Sequence, residues 1–288
     1  MTPGGTQITF APGLGSPSQL AFNNADDLFV ITTDGSVYEF TPGGQQNTFF
    51  SGLSSPQALA FDNLGNLYVS QLNGDIIEIA TNGTQTIFAF GLSDPVGLAF
   101  DSKGDLFIAN KHNNSITEID TNGTKSTVAS GLSGPLSLAF NSAGDLFVGN
   151  TVGEIIEIMT NGAPSVFASG LDNPVALAFD ETGNLFEADE NSGNIYEFAP
   201  DGTRTNFTSG LNYEGLAIQF LPELQAIMTN SSVQITVSMP SPYFPTILQA
   251  STNLINWCNI STNAMPFAFT DSSSSQLPFR FFRACTGP

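Results

Sequence analysis

Basic residues are the scarcest feature of this chain: 6 Lys and Arg stand against 26 Asp and Glu in 288 residues, a formal net charge of −20. Nucleic-acid binding needs Lys and Arg to neutralise phosphates, so so acidic a chain is excluded as a nucleic-acid protein, and anionic membrane surfaces are disfavoured for the same reason. Charged residues of both signs reach only 11%, against roughly 25% in an average globular protein. Histidine occurs once, at His112, which leaves no credible Ser-His-Asp triad and no Cys/His zinc spacing. Cysteine occurs twice, and Cys258 and Cys285 leave two readings open, a disulfide closing the C-terminal segment or two buried thiols. No apolar run approaches the ~20 residues that cross a bilayer. Met1 is followed by Thr2, Pro3 and Gly4, so no signal peptide is visible. The Lys-poor, Asn/Ser/Thr-rich composition nevertheless points to a secreted or cell-surface protein.

What the chain has in quantity is apolar residues, 41% with 25 Phe, which excludes an acidic disordered chain. It also has a repeat. Units of 39 or 40 residues begin at Gly13, Gly52, Gly91, Gly131 and Gly170, and a sixth start at Gly210 drifts from the pattern. The third copy, "GLSDPVGLAFDSKGDLFIANKHNNSITEIDTNGTKSTVAS", reads as four short strands: "VGLAF" (a), "DLFIAN" (b), "SITEI" (c) and "KSTVAS" (d). Short "DSKG" and "TNGT" links join a to b and c to d, and the Asn-Gly pair predicts a type I′ turn with both central residues at positive φ. No helical period is evident. Four strands per repeat, in tandem, predict an all-β fold built of β-propeller blades.

The chain ends predict six blades. "TPGGTQITFAPGL" matches "TPGGQQNTFFSGL", so residues 6–11 read as an orphan d strand. Leu216–Phe220, Leu224–Met228 and Val233–Val237 read as a, b and c of a last blade that this strand completes. A five-bladed ring ranks second. The propeller then spans 1–221, with a small β-sandwich-like module over 222–288. Residues 222–239 are left to either the sixth blade or that module.

On the quoted copies, the units resemble NHL and SMP-30/gluconolactonase-like propeller repeats over roughly residues 2–220. From "ILQASTNLINW" onward the chain resembles the C-terminal immunoglobulin-like modules of secreted bacterial proteins. Propellers of this kind include lactonases, lyases, other hydrolases and non-catalytic binders, so the resemblance implies architecture more than activity.

The d–a and b–c loops share one end of the blades, and the channel mouth there is the expected site. The last residues of the b strands, Thr32, Gln71, Asn110, Asn150, Asp189 and, in the sixth unit, Met228, are expected around that mouth, either capping strands onto loop backbone or offering ligands. The lactonase-like resemblance implies a divalent cation, Ca²⁺ or Mg²⁺, held by Glu214 of "YEGLA" with Asn110, Asn150 and Asp189, and makes Glu214 and Asp189 the catalytic candidates. The residues following each a-strand Pro (Ser18, Gln57, Val96, Leu136 and Val175) depart from that family's ligand pattern. Glu39, Glu78, Glu118, Glu157 and Glu197 recur in strand c and read as structural hydrogen-bonding residues. Asp180, Glu187, Asp189 and Glu190 make the fifth repeat the most acidic and read as a solvated surface, with cation binding as the second reading. His112 reads as a loop decoration; a lyase using it as acid or base is the third functional reading. The first is a monomeric binding module for a glycan, peptide or protein on the loop face, with no certain cofactor. The second is the metal-dependent lactonase-like hydrolase.

Overall fold

In a computed structural model of the chain, the structure describes residues 13–41, 44–180 and 182–209, residues 11 and 216, and the backbone of six later strands. The first 20 strands form five four-stranded antiparallel sheets in chain order, one per repeat. Blade 1 holds β1 (Pro17–Phe22), β2 (Leu28–Thr32), β3 (Ser36–Phe40) and β4 (Gln46–Ser51). Blade 2 holds β5 (Pro56–Phe61), β6 (Leu67–Gln71), β7 (Ile76–Ile79) and β8 (Gln85–Ala89). Blade 3 follows with β9 (Pro95–Phe100), β10 (Leu106–Asn110), β11 (Ser115–Ile119) and β12 (Lys125–Ser130). Blade 4 comprises β13 (Pro135–Phe140), β14 (Leu146–Asn150), β15 (Glu154–Ile158) and β16 (Pro164–Ser169), and blade 5 β17 (Pro174–Phe179), β18 (Leu185–Asp189), β19 (Asn194–Phe198) and β20 (Arg204–Thr208). The a strands pack against one another in the order β1, β5, β9, β13, β17.

Strand alternation explains the stacking of blades. Successive residues point to opposite sheet faces, so each blade offers one apolar face to its predecessor and one to its successor. Phe29, Ile31 and Val37 of blade 1 meet Leu59, Leu67, Val69, Ile77 and Ile79 of blade 2 in one core cluster. Ala58, Tyr68 and Ile76 of blade 2 meet Leu98, Leu106, Ile108 and Ile119 of blade 3 in the next. Fully burying such a side chain stabilises by about 1.5–3 kcal/mol. The b-strand aromatics add edge-to-face contacts, Phe29 with Phe49 and Phe61, Tyr68 with Phe88 and Phe100, and Phe147 with Phe167 and Phe179.

The described residues form five blades, not the six expected. The strands read as b and c of a sixth blade, β21 (Glu223–Met228) and β22 (Val233–Ser238), pair instead with β25 (Phe267–Asp271) in a three-stranded sheet of order β21-β22-β25. Their alternating pattern specified strands but not partners. The orphan strand at 6–10 and most of 216–220 lie outside the described residues. A second three-stranded sheet has β23 (Thr246–Ser251) between β24 (Cys258–Asn263) and β26 (Phe281–Thr286). The chain divides into two compact units, Met1–Asn23 with Asp27–Ile218, and Asn24–Asp26 with Gln219–Pro288. Among the described residues no helix is long and apolar enough to cross a membrane.

The Asn-Gly turns differ from expectation too. At the c–d link of blade 3 only Gly123 has positive φ (80°), and the Asp120 N–H donates to Thr124 O at 3.0 Å. The Asp120 carboxylate accepts the N–H groups of Asn122 and Thr124 at 2.9 and 2.7 Å. That Asx turn holds Asn122 in a right-handed conformation and produces the longer hairpin loop with a glycine bulge.

The register of the second sheet bears on the cysteines. Cys258 lies opposite Ala250 and Cys285 opposite Ile247, with β23 between them. Two strand spacings separate such backbones by about 9–10 Å, beyond the roughly 4.4–6.8 Å Cα span of a disulfide. The expected outcome is two free thiols, both alkylated when unreduced protein is unfolded and analysed by mass spectrometry; protection of both would contradict it.

Candidate functional site at the propeller mouth

Each a strand begins at a proline preceded by a residue of positive φ: Ser16 (47°), Ser55 (50°), Asp94 (58°), Gly134 (61°) and Asn173 (75°). This sparsely populated conformation turns the preceding carbonyls to the b–c loops. Their oxygens accept the N–H groups of Thr33, Leu72, Lys111, Thr151 and Glu190 at 3.0–3.1 Å. The d–a and b–c loops of each blade are thereby tied together at one end, as the sequence implies.

Immediately after each proline the a–b register slips, between Pro17 and Gln19, Pro56 and Ala58, Pro95 and Gly97, Pro135 and Ser137, and Pro174 and Ala176. The skipped residues are Ser18, Gln57, Val96, Leu136 and Val175. A β-bulge leaves one residue unpaired and re-aims its side chain. All five line a single cavity of about 230 Å³, shared with Gln19, Thr33, Pro56 and Lys111. Blades 1 and 2 contribute hydroxyl and amide groups to it, blades 3 to 5 the apolar Val96, Leu136 and Val175, and Lys111 is the cation of the described lining. This arrangement suits a small ligand with one polar and one apolar side. Sequence reasoning set these residues aside because they departed from a ligand motif; the signal it passed over was their fixed place one residue beyond the strand-opening proline.

The b-strand termini lie behind the mouth. Thr32, Gln71, Asn110, Asn150 and Asp189 are all buried, and the mouth takes their successors Thr33 and Lys111 instead. Gln71 Oε1 accepts the Ser54 N–H at 3.0 Å, Asn110 Oδ1 the Ser93 N–H at 3.3 Å, and Asp189 Oδ2 the Asp172 N–H at 2.6 Å. Asn150 Oδ1 accepts from Val152 and Glu154 at 3.2 and 2.9 Å, and Thr32 bonds Asp34 and Ser36. These are loop-capping contacts. Asp189 Oδ1 is also engaged, by the Ser192 N–H at 3.3 Å. A divalent cation at Asn110, Asn150 and Asp189 would compete with those donors, so the set as placed does not fit a preformed cation site. Glu214 lies outside the described residues. Among the described residues no three His, Cys, Asp or Glu side chains gather as a metal site requires. His112 is exposed beside Lys111, its N–H donating to Ser93 O at 3.3 Å.

The other acidic residues separate by role. Glu39, Glu78 and Glu118 accept cross-strand hydrogen bonds from Asn47, Thr86 and Ser126, and Glu197 accepts one from Asn184. In blade 5, where a solvated surface was expected, Glu187 is fully buried with no hydrogen-bond partner for either carboxylate oxygen. Alternation decides this: Glu187 occupies the b-strand place of Val30, Val69, Ile108 and Val148, cross-strand from Leu177 and Tyr196. Burial, reinforced by the Asp189 carboxylate and opposed by Arg204, pushes its carboxyl up to about 9.

No family model and no curated protein matches the chain. Solved structures do. A gluconolactonase from Xanthomonas campestris is 16% identical with a TM-score of 0.66, covering 81% of this chain and 86% of that one. Virginiamycin B lyase from Staphylococcus aureus is 13% identical with a TM-score of 0.59, over 86% and 85% of the two chains. An auxiliary nutrient binding protein from Bacteroides thetaiotaomicron is 11% identical with a TM-score of 0.61, over 77% and 67%. At such identities the likeness shows the fold, and it is a β-propeller fold that serves a lactonase, a lyase and a binding protein alike.

Proposed function

We propose that the chain is a binding module that takes a group of a glycan, peptide or protein into the mouth of the propeller, on the d–a/b–c loop face. The observation that carries this reading is the convergence of one bulged residue from every described blade on one cavity with a polar and an apolar side. Its described lining offers hydrogen-bonding groups and a cation, Lys111, but no carboxylate to serve as acid, base or hard metal ligand. The same reading makes the protein a secreted or cell-surface monomer, with the two C-terminal three-stranded sheets as an appended immunoglobulin-like module. Screening the wild-type chain on glycan and short-peptide arrays is expected to return bound features; blank arrays of both kinds would count against it.

The alternative is a divalent-metal-dependent, lactonase-like hydrolase using Glu214, Asn110, Asn150 and Asp189, favoured by the likeness of fold to a gluconolactonase. Tight binding of Ca²⁺ to the folded state alone would raise the melting temperature, by about 2.7 kcal/mol of stability at a hundredfold excess over Kd. With the donor oxygens spent on loop backbone, neither added Ca²⁺ nor EDTA is expected to move the melting temperature. A rise with Ca²⁺ that EDTA reverses would restore the hydrolase reading.

A further inference from the structure

A second concavity lies away from the mouth, at the a–b/c–d end of the blades between blades 4 and 5. Its volume is about 530 Å³, and its lining includes Phe147, Phe167, Phe179, Phe198, Glu157 and Asp201. That size is in the range of small-molecule sites. The corresponding seams between earlier blades receive Ile79, Ile119 and Ile158 where this one receives Phe198. Four phenylalanines therefore meet here, Phe147 edge-on to Phe167 and to Phe179, with Phe167 tilted against Phe198 at 5.7 Å.

Glu157 sets this seam apart. Its four counterparts, Glu39, Glu78, Glu118 and Glu197, each accept a side-chain hydrogen bond within their own blade. Glu157 faces Ser165 across the strands as Glu118 faces Ser126, but among the described residues nothing donates to its carboxylate. Alternation directs it, with Ile155, towards blade 5 and the concavity. A half-buried carboxylate without a partner, beside aromatic rings whose faces carry partial negative charge, favours one ligand chemistry. Asp201 adds a second negative charge at the rim, and no Lys, Arg or His lines the groove. The chain's net charge of −20 raises the local concentration of cations around it.

We propose that this groove is a binding site for a small organic cation, an ammonium group carried on an apolar body, with Glu157 as its counter-ion and the half-buried Phe167 and Phe179, backed by the buried Phe147 and Phe198, as its wall. The probes are phenethylammonium, the uncharged 2-phenylethanol and the anionic 3-phenylpropionate, titrated calorimetrically into the full chain. Phenethylammonium is expected to bind saturably at one site, about tenfold or more tighter than 2-phenylethanol, with 3-phenylpropionate weakest. Glu157→Gln is expected to bring phenethylammonium down to the affinity of 2-phenylethanol while leaving the alcohol's own binding and the melting temperature unchanged. Val96→Trp, which obstructs the mouth, is expected to leave all three titrations as in wild type. Equal binding of the ammonium and the alcohol, an unchanged ammonium affinity in Glu157→Gln, loss of binding in Val96→Trp, or no saturable binding would each overturn the assignment.

Discussion

Glu187→Val is expected to raise the stability of the propeller, and by more as the pH rises. The substitution restores to blade 5 the residue type that the other blades use at this place, Val30, Val69, Ile108 and Val148. Glu187 is fully buried with neither oxygen hydrogen-bonded, cross-strand from Leu177 and Tyr196, with the Asp189 carboxylate raising its carboxyl further and only Arg204 acting the other way. Replacing a buried unsatisfied polar group by an apolar one removes its desolvation cost, about 2–4 kcal/mol where the site repacks. For a domain of this size that is roughly 4–16 °C in melting temperature.

The sign of the pH dependence follows from linkage. With the folded carboxyl at about 9 and its ordinary value at 4.5, the folded chain keeps a proton that the unfolded chain has released. Wild-type stability should therefore fall from pH ~5 to pH ~9 at up to about 1.4 kcal/mol per pH unit, then level off. The other titrating groups cancel in the difference between wild type and variant, apart from the direct neighbour Asp189. Thermal melts of wild type, Glu187→Val and Glu187→Gln at intervals across that range give the comparison. Both variants should lose the alkaline decline. Parallel curves for wild type and Glu187→Val would show that Glu187 does not carry a buried proton.

Among the glycines whose surroundings are described, Gly153→Ala is expected to be the most damaging added methyl group. Gly153 lies in the b–c loop of blade 4 at φ +78°, its carbonyl accepting the Leu171 N–H at 3.1 Å. A Cβ there would stand 2.0 Å from Leu171 O and 2.9 Å from Leu171 C, both backbone atoms. The d–a loop cannot yield without losing the bond that ties it to the mouth. The cost combines left-handed strain of about 1–2 kcal/mol with a steric term of about 1–3 kcal/mol. Gly162→Ala, in the c–d turn at φ +80° with nothing within 4 Å of the added Cβ, isolates the strain alone. Denaturant titrations of the two should differ by more than about 1 kcal/mol; equal losses would mean that the loop contact contributes nothing beyond backbone conformation.

Local pattern made the blades legible. The glycine-to-glycine repeat and its four short apolar segments per unit outlined the blade strands, and the b-strand termini, open in the sequence between loop caps and ligands, cap loop backbone in Gln71 and Asp189. Partner choice was not legible. Val233–Ser238 alternates as a blade strand would and also as a sandwich strand would, and only its pairing with Phe267–Asp271 separates the two. Asp120 governed the Asn122-Gly123 turn through a side-chain contact that a dipeptide signal omits. Glu187 was grouped by composition with its acidic neighbours, although its position in a two-residue period already pointed it inward. At the mouth the wrong register was followed: the bulge after each proline advances Ser18, Gln57, Val96, Leu136 and Val175 into the cavity and leaves Asn110, Asn150 and Asp189 behind it.

Blocking the mouth tests the binding reading most directly. Val96 is half-buried and unpaired at the bulge near the start of β9, and a tryptophan in its place would fill much of the 230 Å³ cavity while the pairing of Pro95 and Gly97 with β10 stays intact. Glycan and short-peptide arrays probed in parallel with wild type and Val96→Trp, matched for melting temperature, should show features bound by wild type and lost in the variant. Retention of the same features by Val96→Trp would place binding elsewhere and contradict the account.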